Sequence, residues 1–442
     1  MSPIRNRHKN LVLIELIAIA VGGMVGGGIF SILGISASMI GFLTPVAIII
    51  GGLIAMLAAY AYVKLGVYYK DEGATYSFVK RTFPNKHIAA ASIGWYVIFG
   101  YISTLALYSY TFSAYAISST GYANDEWVRK GVAWLVIAIF TIINIWSVKG
   151  MGRIEALMVY TKLVILFIVS ILLMKHGQTN FSHFMEQMLK DAEHTKFLNI
   201  LIVASITFVA YEGFQLVINA VNEMNNPDKN IPRAIYGAIL LVITIYVVIA
   251  LAGLFAIPIE NLIKGKEYAL ASGASQVIGK LGEWLVIFAA LLATSSAISG
   301  TVFGSSRQMA VIAEDGFMPK FLAKRNSKNI PTNALITMAV FASSLILIGG
   351  LRLILEFGSV TFLLVSLLMS ITNYTIRDKT KSSGLVTILS ILGLSMGGIL
   401  ILYYEMTHKP QQMLFIVFMY IILTIVAFWF AKRKKQLEQN HS

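Results

Sequence analysis

The chain is punctuated by apolar runs of about 20 residues, almost free of charge, the length an α-helix needs to cross the ~30 Å hydrocarbon layer of a bilayer. Twelve occur, over residues 11–36, 42–63, 88–119, 131–148, 154–174, 197–222, 234–259, 284–306, 332–351, 357–376, 382–404 and 411–431. None shows the period-2 alternation of a membrane barrel strand, so the expected fold class is an all-α membrane protein. With 57% hydrophobic and 13% charged residues among 442, the chain lacks the polar surface a water-soluble globule requires. The first run has no small-residue cleavage site and is expected to be retained as a helix.

Charge orients these runs. About two-thirds of the 35 lysines and arginines fall on one side if the N-terminus is inside, among them Arg5, Arg7, Lys64, Lys80, Arg307, Lys324 and Lys432 to Lys435. Both termini are therefore expected in the cytoplasm, with the chain in the plasma (inner) membrane. The net charge of +14 is then a matter of orientation and of membrane lipids, and nucleic acid is not an expected partner. The chain has no cysteine, which removes disulfides, thiolate chemistry and cysteine metal sites. All seven histidines fall in expected loops or tails, so no metal site is expected. Nor is a nucleophile or acid–base constellation legible, so the chain does not read as an enzyme. No cofactor and no obligate protein partner are expected.

Two runs carry features that a plain membrane helix would avoid. Residues 21–28 contain Gly22, Gly23, Gly26, Gly27 and Gly28, each costing about 1 kcal/mol of helix stability against alanine. A small-residue packing seam is the plainer reading of these glycines. A break is the sharper one: Gly26, Gly27 and Gly28 would present free N–H groups at the start of a half-helix, where N–H groups and the helix dipole both favour an anion. In the sixth run Glu212 and Gly213 sit near mid-membrane. A carboxylate there costs roughly 2.5 to 3.5 kcal/mol on insertion scales and should face a cavity or a partner. The two interrupted runs are five helices apart, the spacing of an inverted repeat with discontinuous first members. Repeat one would span about 11–174 and repeat two about 197–376, with two extra helices over 382–431, all in one transmembrane domain.

These residues resemble the amino acid, polyamine and organocation superfamily of secondary transporters. The resemblance rests on Gly22-Gly-Met-Val-Gly-Gly-Gly-Ile-Phe30, Ala210-Tyr-Glu-Gly-Phe214, Asn226-Pro-Asp-Lys-Asn-Ile-Pro-Arg233 and Ala313-Glu-Asp-Gly-Phe-Met-Pro319, in that order along nearly the whole chain. It implies 12 transmembrane helices in a five-plus-five inverted repeat and alternating access around a central site. A substrate carboxylate would rest on the N–H groups of Gly26, Gly27 and Gly28. The substrate ammonium would meet the main-chain carbonyls of Met24, Val209 and Glu212, beside Gly213. Phe208 would be an aromatic gate and Thr301 a small wall residue. No acidic residue or arginine appears on the third, eighth or tenth run to pair a charged substrate side chain, which favours neutral L-amino acids. Glu212 argues the other way, toward cationic ones. The aromatic residues from Trp95 to Tyr115 are expected to be mostly lipid-facing or packing.

Lys162 is the one basic residue that no loop accommodates. It lies roughly 13 Å inside the helix end marked by Arg153, and snorkelling would cover part of that distance. An ammonium that is dry in one state and wet in another can take up and release a proton. In the proton-coupled transporters that this chain resembles, a lysine at this position occupies the place of a sodium ion and touches the first and eighth helices, so Lys162 is the expected coupling residue and the proton the coupling ion. Ser295 and Ser296 could otherwise serve sodium. Glu15 and Glu155 are expected in gating or structural ion pairs. The function implied is proton-coupled uptake of neutral amino acids, with amino acid or amine exchange as the alternative.

Overall fold

In the computed structural model, residues 11–146, 151–177, 181–265 and 268–439 are described, the side chains of 151–156 excepted. Among them no strand forms, and a lone bridge joins Leu11 to Met224. A helix in lipid satisfies its own backbone, which a bilayer core demands. The helices in chain order are α1 (Leu13–Met24), α2 (Gly28–Ile40), α3 (Thr44–Tyr69), α4 (Ala74–Thr82), α5 (His87–Ile117), α6 (Glu126–Trp146), α7 (Met151–His176), α8 (Phe181–His194), α9 (Phe197–Thr207) and α10 (Leu216–Asn219). They continue as α11 (Pro227–Ala256), α12 (Ile259–Gly265), α13 (Ala269–Ile278), α14 (Lys280–Glu314), α15 (Thr332–Ile348), α16 (Leu351–Thr375), α17 (Arg377–Thr380), α18 (Gly384–His408) and α19 (Pro410–Gln439).

Among the described residues, ten helical stretches are long and apolar enough to cross a membrane by length and composition. The difference from twelve runs has two sources. The first run is cut into α1 and α2, the latter continuing through a 3₁₀ turn into α3, and the ninth run is α15, only 17 residues long. Helices α8, α12 and α13 form where loops were expected. The first of these docks through Asp191, whose carboxylate accepts the Phe42 N–H at 2.7 Å. α11 begins at Pro227 rather than near residue 234, because proline at a helix start has no N–H to lose and a φ already helical.

Burial separates core from rim. In its most apolar window the stretch 197–219 is 89% buried and α5 is 72% buried, against 33% for α18 and 22% for α19. The sixth run, α16 at 78% and α5 therefore form the inside of the bundle, while α18 and α19 lie outside it. α5 packs on α14, α16 and α19, and α3 on α11.

The expectation that the tenth helix carries no acidic residue or arginine is corrected by the structure. α16 starts at Leu351, six residues before the expected tenth run, and so carries Arg352 and Glu356. Glu356 is fully buried and receives the Arg352 Nε at 2.7 Å, with Arg352 also donating to the Tyr404 hydroxyl at 2.7 Å. The pair turns toward α18, so it is a structural clasp of the outer helices. Arg352→Ala leaves a carboxylate buried without its cation, and we expect a loss of about 3 to 5 kcal/mol in thermal unfolding of the purified protein. An unchanged midpoint would show that Glu356 does not depend on Arg352.

The acidic residues around the loops after α3 and α14 are partnered. Asp71 pairs with Arg81, Lys80 with Asp315 at 2.7 Å, and Arg325 with Glu314 at 3.1 Å, while Glu72 instead accepts from Asn222 at 3.0 Å. Glu15 caps its own helix by accepting the Val12 N–H at 3.0 Å. Arg5, Arg7 and Lys9 and the side chains of Arg153 and Glu155 lie outside the described residues.

Candidate functional site

The glycine cluster does break its helix. α1 stops at Met24 and α2 starts at Gly28, with Val25 leaving the helical region at φ −80°, ψ 71°. The first N–H groups of any helix lack intrahelical acceptors, which here leaves those of Gly27, Gly28 and Ile29 at the head of α2. Gly26 was expected among them, but its N–H is turned back onto the Met24 carbonyl at 2.9 Å. The donor set therefore moves one residue along the chain. The packing-seam reading also holds for the opposite face: a Cβ on Gly26 would stand 2.7 Å from Ala297 and 2.9 Å from Tyr108, and one on Gly28 2.8 Å from Ala210.

The sixth run breaks against the first. α9 gives way to a 3₁₀ turn over Phe208–Tyr211, Glu212 is extended, and Gly213 adopts φ +128° before α10 begins. At Gly213 a Cβ would lie 2.5 Å from the Gly23 carbonyl carbon and 2.7 Å from the Met24 nitrogen, so the two breaks touch backbone to backbone. Phe208 and Val209 are buried in that turn. The Val209 carbonyl, expected to be open, accepts the Glu212 N–H at 3.2 Å.

Glu212 is 3% exposed. One carboxylate oxygen accepts from the Gln215 amide at 2.9 Å, and that amide also reaches the Tyr101 hydroxyl at 3.3 Å. The other oxygen, Oε1, has no hydrogen-bond partner among the described residues. A buried carboxylate oxygen without a partner costs free energy until a donor arrives. Tyr108, two turns along the same face of α5 from Tyr101, donates to the Gly23 carbonyl at 3.3 Å. The expectation that the aromatics of this helix are mostly lipid-facing or packing is thus wrong for Tyr101 and Tyr108, because both hydroxyls are drawn in by polar groups of the breaks. Tyr110 and Tyr115 are likewise buried.

Lys162 is fully buried on α7, so it does not snorkel. Its Nζ donates to the Val25 carbonyl at 2.5 Å, the Gly22 carbonyl at 3.3 Å and the Ser296 hydroxyl of α14 at 2.9 Å. An ammonium is stabilised at the C-terminal end of α1, where carbonyls lose their helical donors and the dipole is negative. Ser296, weighed as a sodium ligand, is engaged by that ammonium. Thr301 is buried on α14 between Ala297, which packs on Gly26, and Gly304, where an added Cβ would stand 3.7 Å from Leu216 of α10. Positions 297, 301 and 304 share one helical face, so Thr301 looks toward both breaks.

Tyr246 was missed. It is buried on α11, and its hydroxyl stands 2.6 Å from the Met24 carbonyl and 2.9 Å from the Ala210 carbonyl. It therefore ties the two breaks together and occupies the Met24 carbonyl that was expected to be open. The signal was present in the sequence as a tyrosine amid Ile243, Ile245, Val247 and Val248, since a buried hydroxyl on an apolar helix requires a partner.

A helical membrane bundle whose two broken spans meet around buried backbone polar groups, with an ammonium held on one of them, has the build of a membrane transporter. The comparisons narrow this to a family: the amino acid permease family matches residues 11–441, and the chain belongs to it, within the amino acid, polyamine and organocation superfamily. An inner membrane transport protein of Escherichia coli is 28% identical over 97% of this chain and 98% of its own length. A branched-chain amino acid permease of Lactococcus lactis is 26% identical over 76% of each chain. A chloroplastic cationic amino acid transporter of Arabidopsis thaliana is 25% identical over 81% of this chain and 64% of its own.

Proposed function

We propose that this protein is a secondary active transporter that takes up neutral L-amino acids together with protons. The observation that carries the reading is the Lys162 ammonium seated on the broken end of α1 and on Ser296 of α14. Movement of α1 against α14 during alternating access would take those acceptors away and wet the lysine. A state that takes the acceptors away while the lysine is still dry would favour the neutral amine and release the proton, and the wetted state would take a proton up again, so proton and conformational change are linked through one group.

The substrate would lie between the two breaks. Its carboxylate fits the N–H groups of Gly27, Gly28 and Ile29, with Gly26 supplying backbone rather than a donor. Its ammonium fits the unpartnered Glu212 Oε1 and the carbonyls of Met24 and Ala210, which Tyr246 holds in the absence of substrate. Phe208 and Thr301 would bound the side-chain pocket. The same proposal includes 12 helices in a five-plus-five inverted repeat with two added helices, set in the plasma membrane with both termini cytoplasmic.

Tyr246→Phe removes the hydroxyl that the Met24 and Ala210 carbonyls share, and we expect about 1 to 3 kcal/mol less stability without ligand, partly regained when a neutral amino acid binds. Thermal unfolding with and without leucine reads this. A variant that loses stability equally in both conditions would separate Tyr246 from the substrate.

Uptake of labelled amino acids into proteoliposomes, with and without an inward proton gradient, tests the whole reading. Accumulation that follows the gradient supports symport, and transport only against internal amino acid would replace it with exchange. A cationic substrate is the second reading, favoured by the free oxygen of Glu212 and by the Arabidopsis relative's name. Competition of labelled leucine by arginine and lysine decides between them.

A further inference from the structure

A cleft of about 570 Å³ opens at the end of the bundle where the last turns of α3, the first turns of α11, and α17 with Lys381 after it converge. Lys64, Lys379 and Lys381 line it together with Tyr60 and Tyr236. Its one acid, Asp228, is already paired with Lys70 at 2.9 Å. Lys64 is fixed: its Nζ donates to the Lys381 carbonyl at 2.8 Å and sits 5.6 Å from the centre of the Tyr60 ring. The side-chain ammonium groups of Lys379 and Lys381 are exposed and have no acceptor among the described residues. The cleft is thus a positive basin with aromatic walls.

Further along α3 and α11 an apolar strip is exposed. Leu53 lies seven residues before Tyr60 on one face of α3, and Leu240 lies four after Tyr236 on one face of α11. Both leucines are 52% exposed. A soluble anion needs no such strip, whereas an acyl chain below an anionic headgroup does. Basic pockets between membrane helices on the cytoplasmic side take anionic headgroups in this way.

We propose that this cleft binds an anionic phospholipid of the cytoplasmic leaflet, its phosphate on Lys379 and Lys381 beside Lys64 and its acyl chains along Leu53 and Leu240. The proposal rests on the orientation given under the proposed function, and its test reads lipid rather than transport, so the two can fail separately. A lipid wedged between α3 and α11 would bear on the helices that flank the sixth-run break, since Tyr211 donates to the Ile48 carbonyl of α3 at 2.7 Å and Tyr246 of α11 reaches Ala210.

The experiment is native mass spectrometry of the full chain released from phosphatidylcholine nanodiscs containing a minor fraction of phosphatidylglycerol. The wild type should retain phosphatidylglycerol in excess of its share. Lys379→Gln with Lys381→Gln should weaken retention on the order of five-fold per lysine removed. The same two changes should leave the unfolding midpoint in pure phosphatidylcholine unmoved. The control is Lys320→Gln with Lys324→Gln, in a loop of the same side but outside the cleft, and it should retain the lipid. Equal retention by the cleft variant, or an equal loss in the control, overturns the site. Stabilisation of the detergent-purified protein by inorganic phosphate as large as that by phosphatidylglycerol would assign the cleft to a soluble anion and overturn the lipid.

Discussion

Lys162→Ala should abolish proton-driven accumulation while leaving exchange of labelled against internal amino acid measurable. One proton carried per substrate can raise the internal concentration about ten-fold per unit of pH gradient, and the variant should fall to equal concentrations on both sides. The physical reason is the seat of the ammonium. It bonds Val25 and Gly22 carbonyls at the end of α1 and the Ser296 hydroxyl of α14, so it is the group that registers whether those helices are together. Lys162→Arg should fail as well, because a guanidinium stays charged at every accessible pH and cannot give up the proton. Uptake into proteoliposomes at fixed gradient, beside a counterflow assay, measures both. Gradient-driven accumulation retained at the wild-type level by Lys162→Ala would remove Lys162 from the coupling.

The second large effect is expected at Gly213. Its φ of +128° lies outside the range open to residues with a Cβ, and that Cβ would meet the Gly23 carbonyl carbon at 2.5 Å and the Met24 nitrogen at 2.7 Å. Strain of about 1 to 3 kcal/mol and overpacking of about 1 to 3 kcal/mol should add in Gly213→Ala, since the obstacle is backbone that cannot rotate away. Gly279 provides the comparison. It also has a positive φ, +81°, but nothing lies within 4 Å of its Cβ position, so Gly279→Ala pays for the backbone alone. Thermal unfolding of both variants, with transport measured on whatever remains folded, separates the terms. If Gly213→Ala is no worse than Gly279→Ala, the contact between the two breaks contributes little.

Much of this site was legible residue by residue. Gly22 to Gly28 announced a broken helix because glycine carries its helix cost wherever it stands. Lys162 and Glu212 announced buried polar groups because nothing charged enters a membrane span without a reason. What escaped was the pairing. Gly26 stood beside Gly27 and Gly28 in the sequence, yet its N–H is spent on Met24, a turn that no periodicity encodes. Tyr246 is separated by 222 residues from the Met24 carbonyl it reaches. Tyr101 and Tyr108 were indistinguishable from their aromatic neighbours until the helix faces were set by α14 and α16. Arg352 and Glu356 were lost to a helix boundary drawn six residues late, because a charged pair that neutralises itself inside the span looks, in one dimension, like a loop.

The sequence by itself determined the class of molecule: an all-helical membrane bundle, its first run broken at the glycines, with one lysine stranded inside the bilayer. Those properties follow from local rules, the length of an apolar run, the cost of glycine and the cost of a charge in lipid, which act wherever the residue lies. Only the tertiary structure decided which carbonyls are taken, which N–H groups stay open at the head of α2, and that Lys162 closes on Val25 and Ser296. Those are contacts between helices far apart in the chain, and helical periodicity states which face a residue occupies but not which helix will stand opposite it.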